Sequence, residues 1–335
     1  MIMERYVDMK SPFTGGRVKE VSTVEEKVFR KESYKVHVRY YVCEDTGEQF
    51  TTTEQDTLQF NDLYAQYRLR HGIPFPDEIK EIRKKYSLNY SQISRLLGFG
   101  ANQYARYEGG EVPSESNGKM ISAIRDKNVL IGLLKGCKDV FQKPEYEKIL
   151  SSIIMCEERD NGYSPLYRVI FNDDSRSIFT GFGNRSVAKL FDMVRYIVSR
   201  HGEVFPTKLN KLMFYSDFYN YRNVGQSISG LQYRALNFGP VPDHYATIYD
   251  NVPGLDRRLI EVHGMIGTLL TSKPEGNYDH LSDDEKKSID CVVERLRPLD
   301  VASIIDASHK EDAWKNHYAD HAVIPYDEAF AIRLL

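Results

Sequence analysis

The spacing of apolar residues changes twice along the chain. Residues 1–60 carry Val, Phe and Tyr in approximate alternation, and turn residues interrupt these runs in SPFTGG and CEDTGEQ. Alternation with a period of two is typical of strands with one buried face. The pattern predicts a β domain over residues 1–72, which ends in a short helix at residues 61–71.

A helical period begins after Pro76, where apolar residues recur at spacings of three and four. This period predicts an all-α domain at residues 73–135. A further helix is expected at residues 144–156, and the stretch after it is rich in Gly, Asp, Asn and Ser, which is typical of a linker. We therefore expect residues 136–184 to form a helix and a linker.

Residues 185–335 mix amphipathic helices with a few short strands. SVAKLFDMVRYIVSRHG and PTKLNKLMFYSDFYNYRNVG predict helices, the second with an apolar stripe that includes Leu209 and Phe218, and RRLIEVHGMIGTLLTSKP predicts a hairpin. A turn is expected at Gly239 and Pro240. The predicted fold is α+β and multidomain: a small N-terminal β ribbon, an all-α module, and a mainly helical C-terminal domain with a small antiparallel sheet.

Composition and charge narrow the class of protein. The net charge is −3 over 335 residues, so any nucleic-acid contact must come from a local patch. The four cysteines lie far apart and none is in a CxxC pair, which argues against a disulfide framework. The N-terminus lacks the apolar core of a signal peptide, and no apolar run approaches the roughly 18 residues of a membrane span. We expect a reduced, cytoplasmic protein with no membrane partner.

The stretch GFGANQYARYEGG, residues 98–110, carries the clearest candidate chemistry. Helical spacing places Asn102 and Arg106 on one face of a short helix and Tyr104 and Tyr107 on the other. Asn pairs with adenine and Arg with guanine in the major groove. Residues 73–135 hold ten Lys and Arg against seven Asp and Glu, opposite in sign to the whole chain. The pattern favours a helix-turn-helix, and a structural three-helix bundle with a solvated polar face is the alternative.

The segment from Pro76 to Pro113 resembles the helix-turn-helix of MqsA/YgiT-type antitoxins, in which N-x-x-x-R-Y-E-x-G marks the reading helix. NQYARYEGG carries this motif here. The resemblance implies that Asn102 and Arg106 read bases, and we expect Gln92 and Gln103 to add contacts to the DNA. Since such motifs generally read two half-sites one helical turn apart, we expect a homodimer on an operator inverted repeat of double-stranded DNA.

In the same family the N-terminal domain holds one zinc ion through two CxxC knuckles. The corresponding positions here are Ser11, Thr14, Cys43 and Thr46, so one thiol stands where the family has four. Neutral hydroxyls are poor ligands for structural zinc. We expect the ribbon fold without the metal, and no cofactor.

Residues from about 187 to the end resemble the Panacea domain, or SocA-like antitoxin domain, through KLNKLMFYSDFY, ISGLQYRALNFGPVP and VASIIDASHKEDAWK. The resemblance implies that residues 185–335 neutralise a partner toxin. Tyr215 and Tyr219 are candidate toxin contacts, and Trp314 is either a third contact or a core residue. In the last block, Ser308 and Glu311 have the spacing of a helix capping box.

No catalytic motif is complete: GxSxG, P-loop and HExxH patterns are absent from the sequence. We therefore expect no enzyme. The leading hypothesis is an antitoxin of a toxin–antitoxin system that binds its operator as an autorepressor and neutralises a toxin through its C-terminal domain. The alternatives are a phage-associated transcriptional regulator that senses a ligand or a protein through that domain, and a protease adaptor.

Overall fold

The computed structural model describes residues 3–156, 165–172, 175–262, 264–272 and 276–335. The chain divides into two compact units. The first unit comprises Met1–Leu63 and Ser164–Leu335, and the second comprises Tyr64–Tyr163. Antiparallel sheets and many helices confirm the predicted α+β class.

The N-terminal region is one antiparallel sheet of four strands in the order β1-β2-β3-β4. The strands are β1 (Met3–Lys10), β2 (Arg17–Phe29), β3 (Glu32–Cys43) and β4 (Gln49–Phe50). Along β3 the buried residues Tyr34, Val36 and Val38 alternate with more exposed neighbours, as the period of two predicts. The β2–β3 hairpin turns at Arg30 and Lys31, both of which have positive φ.

Helix α1 (Thr53–His71) is longer than the predicted helix at residues 61–71. Its start is fixed by a reciprocal pair, in which the Gln55 Oε1 accepts from the Thr52 N–H at 3.1 Å and the Gln55 N–H donates to the Thr52 Oγ1 at 3.4 Å. This T-x-x-Q capping box is visible in the sequence and marks the true start of the helix.

The second unit is all-α, as predicted for residues 73–135. Its helices are α2 (Pro76–Lys85), α3 (Tyr90–Leu96), α4 (Gln103–Glu108), α5 (Glu115–Ala123), α6 (Lys127–Gly136) and α7 (Lys143–Met155). One apolar core runs through the unit, and Ile149 and Ile153 of α7 belong to it. The core therefore continues past residue 135.

The C-terminal part of the first unit is mainly helical. Its helices are α8 (Pro165–Phe171), α9 (Val187–His201), α10 (Pro206–Val224), α11 (Tyr245–Asn251), α12 (Asp283–Leu296), α13 (Val301–Lys310) and α14 (Asp312–Tyr318). Two hairpins accompany them: β5 (Tyr233–Leu236) with β6 (Gly239–Pro242), and β7 (Leu255–Val262) with β8 (Met265–Ser272). α10 is central, and the predicted stripe residues Leu209 and Phe218 are completely buried.

Two expectations for this part need correction. Helix α8 lies within the predicted linker and buries Tyr167, Ile170 and Phe171, because its apolar residues face the unit. Residues 157–164 and 173–174 of that linker lie outside the described residues. Gly239 and Pro240 lie in strand β6 and not in a turn, since they pair with Leu236 and Ala235.

The N-terminal sheet contacts the C-terminal helices directly within the first unit. The Arg39 Nη1 donates to the Arg222 carbonyl at 3.2 Å and to the Asn223 Oδ1 at 3.1 Å. The His37 ring stacks on Phe330 with the ring centroids 4.0 Å apart. These contacts hold β3 against the end of α10 and the 3₁₀ turn Tyr326–Ala331.

Candidate functional site

The candidate reading element is formed by α3, a tight turn and α4. Helix α3 ends in a Schellman motif: Gly98 has φ of 69°, and the Phe99 N–H donates to the Ser94 carbonyl at 2.8 Å. Glycine is favoured at this position because its backbone is left-handed. Asn102 then precedes the first residue of α4.

The inner face of α4 is set by two buried tyrosines, as the spacing predicts. The Tyr104 hydroxyl donates to the Ile79 carbonyl at 2.9 Å, and burial raises the pKa of Tyr104. The Tyr107 hydroxyl accepts from the Asn117 Nδ2 at 2.8 Å. Both rings therefore anchor α4 to its unit and leave its other face toward solvent.

Glu108 of the same motif has a structural role that sequence reasoning missed. Its carboxylate receives a bidentate pair from Arg83, with Nε–Oε1 at 2.6 Å and Nη2–Oε2 at 3.0 Å. The Tyr90 hydroxyl donates to the same carboxylate at 3.1 Å. The Arg83–Glu108 ion pair joins α4 to α2. The two residues lie too far apart in the sequence for their pairing to be predicted from spacing alone.

The outer face carries the predicted DNA-contacting residues. Asn102 is exposed, and the side chain of Arg106 is 66% exposed. Glu111 draws two of these residues together, since it pairs with the Arg106 Nε at 3.0 Å and accepts from the Gln103 Nε2 at 2.8 Å. An exposed ion pair of this kind is worth at most about 1 kcal/mol, so it constrains Arg106 only weakly.

Gln92 is used in part by its own helix. Its Oε1 accepts from the Asn89 N–H at 3.0 Å, and the Asn89 Oδ1 accepts from the Gln92 N–H at 2.9 Å. This capping box starts α3 and uses the Gln92 carbonyl oxygen, so the predicted DNA contact of Gln92 would have to come from its amide nitrogen.

The four knuckle positions of the N-terminal sheet meet around one thiol. The Thr14 Oγ1 lies 3.5 Å from the Cys43 Sγ. Hydrogen bonds from the hydroxyls of Ser11, Thr46 and Thr14 lower the pKa of Cys43 to about 6. One sulfur with three hydroxyls does not fit a structural zinc ion. Across the described residues, no group of three or more His, Cys, Asp or Glu side chains is arranged to hold a metal.

Two of the three candidate toxin contacts lie on α10. Tyr215 is completely buried, and burial, followed by the nearby Glu311 carboxylate, raises its pKa. A side chain with no exposed surface offers no contact area to a partner, so Tyr215 is a core residue of α10. Tyr219 is half-buried, and the Arg222 guanidinium lies 5.4 Å from its ring centroid.

Trp314 lies in an aromatic surface at the edge of the C-terminal region. Its ring stacks between His309, with centroids 4.0 Å apart, and Tyr318, at 4.2 Å. Its Nε1 donates to the Leu236 carbonyl at 2.9 Å, next to the β5–β6 turn that exposes 65% of Phe238. We call His309, Trp314, Tyr318 and Phe238 the aromatic surface.

The predicted capping box in the last block is wrong. Ser308 lies inside α13, and its hydroxyl donates to the Ile305 carbonyl at 2.8 Å. Glu311 is buried, and its carboxylate accepts from the Arg333 and Leu334 N–H groups at 2.9 and 3.0 Å. Glu311 therefore holds the end of the chain against α14.

A buried polar set within the C-terminal region was also missed. Asp217 is fully buried and accepts hydrogen bonds from the Ile228 and Ser229 N–H groups, both at 2.8 Å, and from the Tyr233 hydroxyl at 2.7 Å. Lys211 is fully buried and donates to the Pro240 carbonyl at 2.9 Å. Burial raises the pKa of Asp217 and lowers that of Lys211 to about 7. The sequence signal for this set is a pair of charged residues, Lys211 and Asp217, within the helix that carries the apolar stripe of Leu209 and Phe218.

Comparison with known proteins gives a partial assignment. In the part of the chain that the structure describes, no helix combines the length and the apolar character needed to cross a bilayer. Comparisons with curated proteins and with solved structures gave no match. Residues 209–315, which include α10 from Leu209 onward, both strands of the β5–β6 hairpin and Trp314, match the family model described as "Antitoxin SocA-like, Panacea domain".

Proposed function

We propose that the chain is the antitoxin of a toxin–antitoxin system, with no catalytic activity of its own. In this proposal the second unit binds operator DNA as a homodimer and represses its own operon, and the Panacea segment binds and silences the toxin in the cytoplasm. The match of residues 209–315 to an antitoxin family carries the proposal.

The DNA arm rests on α4. The exposed Asn102 and Arg106 stand on the face opposite two anchored tyrosines, which is the arrangement of a helix that enters the major groove. A bidentate Arg–guanine contact contributes about 1–3 kcal/mol of discrimination, which exceeds the weak pairing of Arg106 with Glu111. Arg106 is therefore expected to exchange Glu111 for a base.

This arm is tested by fluorescence anisotropy on DNA from upstream of the chain's own gene. Arg106→Ala should weaken specific binding by about 1–3 kcal/mol at one base position. Lys80→Ala is the matched control, because Lys80 is an exposed cation of α2 outside the reading face. Equal losses in both variants would show a general charge effect and refute the assignment of α4.

The toxin arm rests on the aromatic surface. Trp and Tyr are the residues most often found at binding hot spots, and exposed aromatic rings bury large apolar areas when a partner covers them. Phe238 is mostly exposed, Trp314 is half-buried and stacks on His309 and Tyr318, and both Phe238 and Trp314 lie inside the matched segment. We propose Trp314 as the central contact, with Tyr219 outside this surface as a secondary candidate.

Co-purification of the tagged full-length chain with the toxin encoded beside it tests this arm. Phe238→Ser should reduce the recovered toxin several-fold without affecting folding, because the ring is mostly in solvent. Phe179→Ser is the matched control, since this ring is also exposed and lies outside residues 209–315. Unchanged recovery with Phe238→Ser and Trp314→Ala together would remove the aromatic surface from the proposal.

A further inference from the structure

The β7–β8 hairpin is a separate sheet of two strands, and its eight residue pairs follow one another without a register shift. β8 is attached to the rest of the first unit, because the Val204 N–H donates to the Leu270 carbonyl at 3.0 Å and the Leu270 N–H donates to the Val204 carbonyl at 2.9 Å. Within the described residues, β8 is the only strand that pairs with β7. The outer edge of β7 therefore leaves every second N–H and C=O group without a strand partner.

An open sheet edge can pair with another strand, and folded proteins usually protect it. The edge strand β1 of the N-terminal sheet has such protection, since the β1–β2 register shifts between Val7 and Lys10. The β7–β8 register has no bulge. A hairpin of two strands is also only marginally stable by itself, and further strands would stabilise it. The edge of β7 is therefore suited to pairing.

One face of the hairpin carries two exposed apolar side chains. Leu259 of β7 is 71% exposed, and Ile266 of β8 is 78% exposed. Ile266 lies opposite Glu261, two residues along β7 from Leu259, so the two apolar residues are diagonal neighbours on one face. Single exposed apolar residues are ordinary, but two neighbours beside an open edge indicate a surface that a partner covers.

The charges of β7 fit a second copy of the same strand. If two β7 edges pair antiparallel about a two-fold axis at Leu259, each Arg257 lies opposite the Glu261 of the other copy, and Leu259 lies opposite its own equivalent. Both charged contacts then join opposite signs. An axis at Arg258 would place two arginines opposite each other, and an axis at Ile260 would place each Glu261 opposite a leucine. The charge pattern therefore favours the register centred on Leu259.

Both charged groups are available for this contact. Glu261 is exposed and has no ion-pair partner within the described residues. Arg257 pairs with Asp250, but both side chains are about half exposed, and exposed ion pairs are weak. Arg258 pairs with Glu203 and lies on the opposite face of the strand, so it does not compete for Glu261.

We propose that the open edge of β7 pairs with β7 of a second copy, centred on Leu259, and joins the two hairpins into one sheet in the order β8-β7-β7-β8. The inference deepens the proposed function, on which it rests for the homodimer, and it places a dimer contact in the first unit. The paired edges are short compared with an interface that buries about 800 Å² per partner, so we expect a dimer that dissociates in the micromolar range.

Sedimentation velocity of the full chain over a micromolar concentration series, without DNA, tests this surface. The parent should shift from monomer to dimer as the concentration rises. Leu259→Lys should weaken dimerisation at least about tenfold, because it places two ammonium groups opposite each other at the axis. Val28→Lys is the matched control, since Val28 is equally exposed and lies on a hairpin strand of the N-terminal sheet. This control should dimerise like the parent.

A charge exchange tests the register. Arg257→Glu alone and Glu261→Arg alone each replace two contacts between opposite charges with two between like charges, so each variant should dimerise at least about tenfold more weakly. An equimolar mixture of the two variants should recover the association of the parent as a heterodimer, because every charged contact across the axis again joins opposite signs. Mixing would not repair a folding defect.

The proposal is overturned if the parent stays monomeric, if Leu259→Lys dimerises like the parent, or if mixing the two charge variants does not restore association. A monomeric parent that loses toxin recovery in Leu259→Lys would assign the edge to the toxin instead. A parent that dimerises through β7 but binds neither operator DNA nor toxin would refute the proposed function and leave the β7 contact standing.

Discussion

Replacing Lys211 with Met should remove a pH dependence of stability that a single buried amine creates. Lys211 has no exposed surface, and within the described residues its only polar partner is the Pro240 carbonyl at 2.9 Å. Burial lowers its pKa from 10.5 to about 7. The unfolded chain therefore keeps the Lys211 amine protonated at neutral pH, whereas folding favours the neutral amine.

The magnitude follows from proton linkage. The unfolded chain binds more protons than the folded one between pH 7 and 10.5, so the free energy of unfolding rises with pH across this window. One pKa unit corresponds to about 1.4 kcal/mol, which gives about 5 kcal/mol over the whole window and about 3 kcal/mol between pH 7 and 9.5. Lys211→Met leaves the Pro240 carbonyl without its donor, which costs about 1–3 kcal/mol at every pH.

The assay is urea unfolding, monitored through the fluorescence of Trp314. Trp314 is the single tryptophan of the chain and lies in the same unit as Lys211. The free energy of unfolding should rise from pH 7 to 9.5 by about 3 kcal/mol more in the parent than in Lys211→Met. Lys287→Met, at an exposed position, should keep the parent's slope. If the free energy of unfolding rises equally with pH in the parent and in Lys211→Met, the claim that burial lowers the pKa of Lys211 is refuted.

Three further predictions address single positions. Glu111→Gln should tighten DNA binding up to about fivefold by freeing Arg106, measured by anisotropy, and weaker binding would show that Glu111 orients the arginine. Gly239→Ala should lower the free energy of unfolding of the first unit, measured in urea, by about 3 kcal/mol or more, because the added Cβ would lie 2.3 Å from the Ser308 hydroxyl oxygen. Gly202→Ala is the control: Gly202 also has positive φ, but its Cβ would meet open space, so the loss should be smaller. Elemental analysis of the purified chain should find far less than one zinc ion per chain, and near-stoichiometric zinc that is lost in Cys43→Ser would contradict this.

The sequence predicted the elements whose periods are long and regular. The alternation along residues 1–60 predicted strands, and the apolar stripe of α10 placed Leu209 and Phe218 in the core, where both are completely buried. The sequence predictions failed where the local composition favoured one structure and tertiary packing favoured another. The linker prediction followed the Gly and Asn content of the stretch, yet the three apolar residues that α8 buries decide its state because tertiary packing outweighs propensity.

The candidate sites were predicted unevenly for a related reason. Helical spacing was sufficient to separate the exposed Arg106 from the buried Tyr104, since both lie on the short helix α4. The burial of Tyr215 depends on how α10 is covered on all sides, and no local pattern distinguishes a covered tyrosine from an exposed one.

Growth rescue of cells that express the neighbouring toxin tests the central claim most directly. The full chain should restore growth, and Phe238→Ser with Trp314→Ala should abolish rescue while the chain stays folded and soluble. Val28→Ser, at a residue of the N-terminal sheet that is 71% exposed, should rescue like the parent. The account is contradicted if the aromatic variant rescues fully and Val28→Ser does not, because neutralisation would then lie in the N-terminal sheet.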